Sequence, residues 1–421
     1  MTSRRQMCFS RKHHADALNL PVSRNKPSIM TMTETYLPQK IGLPQKQGIA
    51  TAIACTGLIA LAWGLSSPII SQNMERMTSS GSLLGWLISL AAVATILSTP
   101  FVPKLMNLFK PRSVMIACLV IGAATIPALK IFMNPAAWFL IKFIASCAFT
   151  IVFVIAEIWI NQLAPEHLRG RIMGMYGAAL AGGMGIGSGL AVKTGIEGWT
   201  PFLITAAINL AAILPFILMR KAVQVKATSK EDARFQVIFK IMRAAPAIMM
   251  CGVVFGAIEQ SLIYFLPVYD TRLGHSEEAG RILLLIAALG IVLFQYPMGL
   301  LADKMNRKRL TVILMVVAVL GPIAIVFAGT NFALIATLAF FYAGLTTALY
   351  TVGLVRLGER FKGSQLAAAN AGFIIAYGIG SLIVPPLAGK MMDIYSPYGF
   401  MWTMAGLGLA GFMVASLRFR R

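Results

Sequence analysis

Twelve separate runs of about 20 apolar residues are spaced along this chain. They fall at roughly 48–70, 82–103, 112–133, 136–162, 171–192, 199–219, 245–268, 279–301, 310–329, 332–355, 366–389 and 396–417. A run of that length crosses the hydrocarbon core of a bilayer as a helix. No water is present there to bond exposed peptide groups, so each segment must satisfy its own backbone. Period-2 alternation is absent, which removes an outer-membrane barrel. Apolar residues make up 57% of the 421, and charged residues only 12%. A soluble protein carries about twice that charge. The expected fold is all-α, with twelve transmembrane helices.

The positive charge reads as topology. The chain holds 37 Lys and Arg against 15 Asp and Glu. Seven bases remain on one side of the expected membrane: Arg76, Lys130, Lys142, Lys193, Arg272, Arg281 and Lys390. All the others fall in the tails and in loops on the opposite side. Basic residues stay cytoplasmic during insertion, so both termini are expected in the cytoplasm, and nucleic acid is not an expected partner. Residues 1–47 are basic and polar without an apolar core, and are expected to form a cytoplasmic tail rather than a secretory signal. The five cysteines, Cys8, Cys55, Cys118, Cys147 and Cys251, have neither metal-ligand spacing nor a disulfide pattern. They read as small packing residues, and no metal or cofactor is expected.

The chain repeats itself. "PEHLRGRIMGMYGAALAGGMGIGSGL" (165–190) aligns without a gap on "GERFKGSQLAAANAGFIIAYGIGSLI" (358–383). Glu166 falls on Glu359, Gly170 on Gly363, and the run Gly185-Ile186-Gly187-Ser188 on Gly378-Ile379-Gly380-Ser381. The expected organisation is therefore two pseudo-symmetric six-helix bundles, 48–219 and 244–421. A cytoplasmic linker, 220–243, joins them. Part of that linker reads as an amphipathic helix, with Phe235, Ile238, Phe239 and Ile241 on the membrane surface.

One loop is unusually charged. "GLLADKMNRKR" places Gly299, Asp303, Lys304, Arg307, Lys308 and Arg309 between two apolar runs. Gly299 is expected to let two helices approach closely. Asp303 sits at a helix end, where a carboxylate can meet a neighbouring helix N-terminus or a base. Such contacts can form in one conformation and break in another. The equivalent first-half loop, "PKLMNLFKPRS", has Asn107 at the acid position and keeps Lys110 and Arg112. Any latch built on the acid should therefore be carried by the second half.

Two six-helix halves and this loop resemble the major facilitator superfamily across about residues 48–417. The family's loop has Gly, three residues, Asp and a base, then usually Gly before further bases; Asn306 stands here in place of that Gly. Relatives commonly carry a base where Lys142 stands. An acid fifteen residues later, Glu157, and the "QYPMG" before the charged loop resemble a bacterial efflux-like subgroup. The resemblance implies a secondary transporter that alternates access to a central cavity. Fifteen residues are roughly 22 Å of helix, so Lys142 and Glu157 reach the cavity at different depths.

A carboxylate within a span is costly unless it is protonated, paired or hydrated. Burial favours the neutral form of such a group, which can then carry a proton. Glu259, in the middle of the seventh run, and Glu157, toward the cytoplasmic end of the fourth, are the candidate proton carriers. Glu157 is the one expected to pair with loop bases. Candidate cavity residues are Trp63, Ser66, Asn209, Gln260, Tyr264, Tyr350 and Asn370. They are scattered polar or aromatic groups, which suit a modest amphipathic solute. Small residues at Gly177, Ala181, Gly185 and Gly189 read as a close-packing stripe. An enzyme is not expected, because His167 and His275, the histidines outside the tail, fall in loops on opposite sides. A passive channel fits less well than alternating access, given the repeat and the in-span acids. The expectation is a monomeric multi-pass protein of the cytoplasmic (inner) membrane. It moves a small organic solute with protons, with export ahead of proton-linked uptake of a metabolite or sugar.

Overall fold

A computed structural model describes residues 42–165, 168–219, 235–361 and 363–419. The tail before residue 42 and the linker stretch 220–234 lie outside the described residues. Among the described residues there are twelve helices long and apolar enough to span a membrane, and no strand. Spans 1–6 are Leu43–Thr78, Gly81–Leu108, Pro111–Ile131, Pro135–Leu163, Arg171–Thr194 and Thr200–Leu218. Spans 7–12 are Pro246–Arg272, Glu277–Ala302, Arg307–Phe327, Phe332–Arg360, Ala368–Ile394 and Gly399–Leu417. Large apolar side chains such as Leu140, Tyr296 and Phe327 are exposed, as a lipid-facing belt requires. The chain is a multi-pass membrane protein. An even number of spans places both chain ends, and the linker, at one end of the bundle, here termed the terminal end. The opposite end is the far end.

The repeat is visible as packing. In span 5, Gly183 and Gly187 lie against span 1, where a Cβ would collide with the carbonyls of Gly57 and Leu61. In span 11, Gly380 lies against span 7, where a Cβ would collide with the carbonyl of Val253. Gly187 and Gly380 are the residues that the sequence repeat aligns. Their neighbours Ser188 and Ser381 each bond back one turn, to the carbonyls of Met184 and Tyr377, both at 3.0 Å. With only van der Waals packing to hold apolar helices together in lipid, such backbone approach is the main source of cohesion. The expected stripe was one face off. Gly177, Gly185 and Gly189 meet span 8 only at ordinary contact distance, through Gln295, Val292 and Leu285.

Two further expectations are corrected. Gly299 has nothing within 4 Å of a Cβ position, so no helix approaches there in this conformation. The linker helix, Phe235–Ala244, does form. However, Ile238 is buried, and it packs with Met242 on Gly372 of span 11, while Phe239 is exposed beneath the Arg243 guanidinium. Its apolar face thus rests on protein as well as pointing outward.

The charged loop is a junction within the second half. Asn306 caps span 9, accepting from the N–H groups of Lys308 at 3.0 Å and Arg309 at 3.3 Å. An Asn side chain can make that bond and a Gly cannot. Arg307 donates to the Ala302 carbonyl at 3.1 Å and pairs with Glu359 at the end of span 10. The Asp303 side chain lies outside the described residues.

Candidate functional site between the two halves

Glu259 sits midway along span 7, thirteen residues after its first residue, Pro246. Tyr377 of span 11 donates its hydroxyl proton to Glu259 Oε2 at 2.6 Å. Gln260 Nε2 donates to the same tyrosine oxygen at 3.3 Å. Tyr350 of span 10 and Phe255 flank this tyrosine, with ring centroids 6.5 and 6.0 Å from it. Among the described residues Glu259 Oε1 has no donor, and the side chain is only partly buried. It faces a small cavity of about 30 Å³, walled chiefly by Met184, Phe255, Leu262, Leu284 and Ile291. Thr346 and Thr347 are the other polar residues lining it.

A second cluster crosses the halves. Trp63 Nε1 of span 1 and Lys142 Nζ of span 4 both donate to the Tyr264 hydroxyl of span 7, at 2.9 and 3.0 Å. An oxygen that accepts two bonds still carries its own proton, which is free to be offered to a ligand. Ser66 lies one turn beyond Trp63 and bonds its carbonyl at 3.2 Å.

The remaining candidates separate. Glu157 is exposed near the terminal end of span 4, and its partner is the Tyr176 hydroxyl at 3.4 Å, not a base. Among the described residues no base pairs with it; the Arg169 side chain and the bases of 220–234 lie outside them. Asn209 is 1% exposed and packed inside the first half, and its Oδ1 has no partner among the described residues. Asn370 is partly buried on span 11. Glu259, Gln260 and Tyr350 are thus brought together with Tyr377, and Trp63, Ser66, Lys142 and Tyr264 form a separate group. Tyr377 was missed in the sequence. The repeat aligns it with Met184, so the polar substitution at one of two equivalent positions was the available signal.

The far end is sealed by charge. Arg272, closing span 7, pairs with Glu75 of span 1 at 2.7 Å and with Asp393 of span 11 at 3.1 Å. Asp393 also accepts from the N–H groups of Gly81 at 2.7 Å and Ser82 at 2.9 Å. It therefore supplies, from the second half, the cap that the first turn of span 2 needs. Beside this clamp, Arg76 pairs with Glu277 and with Glu197, and Arg281 Nη1 donates to Gln72 Oε1 at 3.1 Å. Spans 2 and 11 run together below it. A Cβ at Gly81 or Gly389 would collide with the other's carbonyl, and Gly85 lies on Pro385. Ser89 Oγ donates to the Leu382 carbonyl at 2.8 Å. Toward the terminal end, past Ser89, no hydrogen bond or close glycine contact joins the two spans among the described residues, and Ile96 and Leu97 on span 2 and Ile374 and Ile375 on span 11 are exposed.

Known proteins share this arrangement. The Major Facilitator Superfamily model matches residues 52–293 and 273–421. The uncharacterized MFS-type transporter YfkF of Bacillus subtilis (strain 168) is 25% identical over 343 residues, covering 79% of this chain and 85% of that protein. The uncharacterized MFS-type transporter YcaD of Salmonella paratyphi A is 24% identical over 351 residues, covering 83% and 87%. Among solved structures, the nucleoside transporter NupG superposes with a TM-score of 0.70 at 17% identity, covering 90% of this chain and 100% of that one. A D-xylose-proton symporter superposes at 0.67 and 17% identity, covering 87% and 96%. With twelve spans in two matched halves around a cavity, and a family match over nearly the whole membrane region, the chain belongs to the major facilitator superfamily of transporters.

Proposed function

We propose that this transporter moves a small amphipathic organic solute across a bacterial cytoplasmic membrane in exchange for protons, and that Glu259 is the group through which the proton acts. One observation carries this reading: an in-span carboxylate with one oxygen bonded by Tyr377 and the other turned to an apolar cavity. A charge in that setting is expensive unless it is protonated or met by a ligand. Loading one of the two and releasing the other is the simplest way to couple them. The positive-inside bias puts both termini in the cytoplasm, so the parted end is cytoplasmic and the conformation is inward-facing. Export is the direction we assign, and the substrate enters from the parted end. Proton-linked uptake is the second reading, favoured by the likeness of fold to a D-xylose-proton symporter. The apolar lining speaks against a sugar, whose hydroxyls would need many more polar partners. The protein acts as a monomer, with Lys142 and Trp63 of the first half and Tyr264 of the second positioning the solute.

A compound screen supplies the solute, and reconstituted flux then tests the coupling. Glu259→Gln holds the side chain neutral. It should abolish movement driven by an imposed pH step while leaving solute exchange at equal pH within about twofold of the parent. A variant that still responds fully to the step rules Glu259 out. The polarity of the step that drives accumulation separates export from uptake.

A further inference from the structure

His275 lies outside the spans, in the short loop between spans 7 and 8. Its Nε2 is 2.9 Å from the carbonyl oxygen of Thr330, and its Nδ1 is 2.7 Å from Asp270 Oδ1. A peptide carbonyl can only accept, so Nε2 carries a hydrogen. Nδ1 then faces a carboxyl oxygen at bonding distance, and a proton must lie between them. The pair therefore holds one proton more than a neutral histidine beside a carboxylate. Asp270 is wholly buried, and its Oδ2 has no partner among the described residues. Removing the shared proton would leave an uncompensated carboxylate in the protein interior, which is strongly unfavourable.

Asp270 lies in the last turn of span 7, the turn that also presents Arg272, and His275 follows three residues after that arginine. The His275 N–H donates to the Asp270 carbonyl at 3.3 Å, and the ring meets Phe332 of span 10 edge-on. Asp270 is the charged group in contact with the ring; Arg272 on span 7 and Glu277, Glu278 and Arg281 on span 8 lie within six residues of His275 in sequence. The loop of Thr330 and the start of span 10 contribute a carbonyl and a ring, without charge. Glu277 is engaged by Arg76, and Arg272 by Glu75 and Asp393.

We propose that His275 and Asp270 form a proton-binding site, separate from the cavity, whose occupancy sets how firmly the Arg272 clamp closes the far end. Closing brings the Glu75 carboxylate onto Arg272, three residues from His275. Opening withdraws that carboxylate and leaves less compensated a guanidinium three residues along the chain from the imidazolium. The closed state therefore binds the proton more tightly, and by reciprocity the proton favours closure. The hydrogen bond to Asp270, with its negative charge, holds the imidazole above the ordinary histidine range. A group held upward in this way gives its support fully at acid pH and loses it as pH rises through its own value. Acid should close the far end, and alkali should loosen it.

Spin labels at Met133 and Tyr395, exposed on opposite halves at the far end, report the opening as a distance distribution. The measurement uses purified full-length protein with native cysteines replaced, in detergent, between pH 5.5 and 9. The long-distance population should grow about fivefold across that range, as a Coulomb coupling of about 1 kcal/mol between the two charges implies. It should stay flat in His275→Gln. Asp270→Asn, which keeps the size and removes the charge, should shift the midpoint to lower pH. The distance response should persist in Glu259→Gln, because the cavity acid is not its source. A parent that ignores pH overturns the proposal. So does a His275→Gln variant with the parent's response, an unmoved midpoint in Asp270→Asn, or a response that vanishes with Glu259.

Discussion

The two ends of the bundle hold their helices by different means. At the far end the halves meet through crossing ion pairs, a borrowed helix cap and glycine contacts close enough for backbones to touch. At the terminal end, among the described residues, the charges work inside one half: Arg307 pairs with Glu359, and Asn306 caps its own helix. Apolar attraction cannot make this difference, since lipid tails are as apolar as the side chains they would replace. What distinguishes a sealed end from a parted one is whether polar groups find partners across the seam.

The glycine seam offers the sharpest way to break that contrast. Gly389→Val puts a branched side chain where Gly81 presents its carbonyl, and backbone cannot yield as a flexible side chain can. The closed far end should lose about 3 kcal/mol, and transport should fall below about one-tenth with normal membrane insertion. Flux in proteoliposomes with equal protein content decides it. Arg272→Gln should come next. Its side chain is 12% exposed and pairs with Glu75 and Asp393 together, so its removal leaves the largely covered Glu75 carboxylate facing a second, better hydrated one. A loss of about 2 kcal/mol in closure is expected, read from the same spin-label distances as a shift to the long population at every pH. The smallest effect should come from Arg76→Gln. Arg76 is 42% exposed and one of its partners, Glu197, is 77% exposed, so water and salt already weaken the contact. A change of at most about 0.5–1 kcal/mol, vanishing in high salt, is expected. If Arg76→Gln opened the far end as widely as Arg272→Gln, charge count rather than burial would govern the seal.

The sequence disclosed the spans, the repeat and the central acid because each is written locally. A run of apolar residues, a shifted copy and a lone Glu in a greasy helix need no partner to be seen. Span ends were less legible. Span 1 begins at Leu43, before the apolar run, because a helix can extend past the lipid through "LPQKQG" while hydropathy marks only the lipid boundary. Tyr377 lies 118 residues from Glu259, and no local pattern joins two such positions. The clamp was hidden differently. Arg76, Arg272 and Arg281 stood out as bases on the sparsely charged side, but they read as exceptions to a topology rule. Their acids, Glu75, Glu277 and Asp393, lie on other helices or beside them in sequence, and only the fold shows which face which. Asn209 failed for a related reason: a polar residue in a span announces itself, but not the direction in which it points.

Asp393 carries a consequence beyond electrostatics. In the sealed state it occupies the peptide N–H groups that open span 2, together with the guanidinium of Arg272. When the halves part, Asp393 stays with Arg272 in the second half, and the Gly81 and Ser82 N–H groups must find a new partner, which at a membrane surface is water. Opening the far end is thus also a hydration reaction, adding solvent to a joint whose Asp393 is already open to it. The equilibrium between the two states is tied to water activity, so concentrated osmolyte on the far side should push this transporter toward its sealed form.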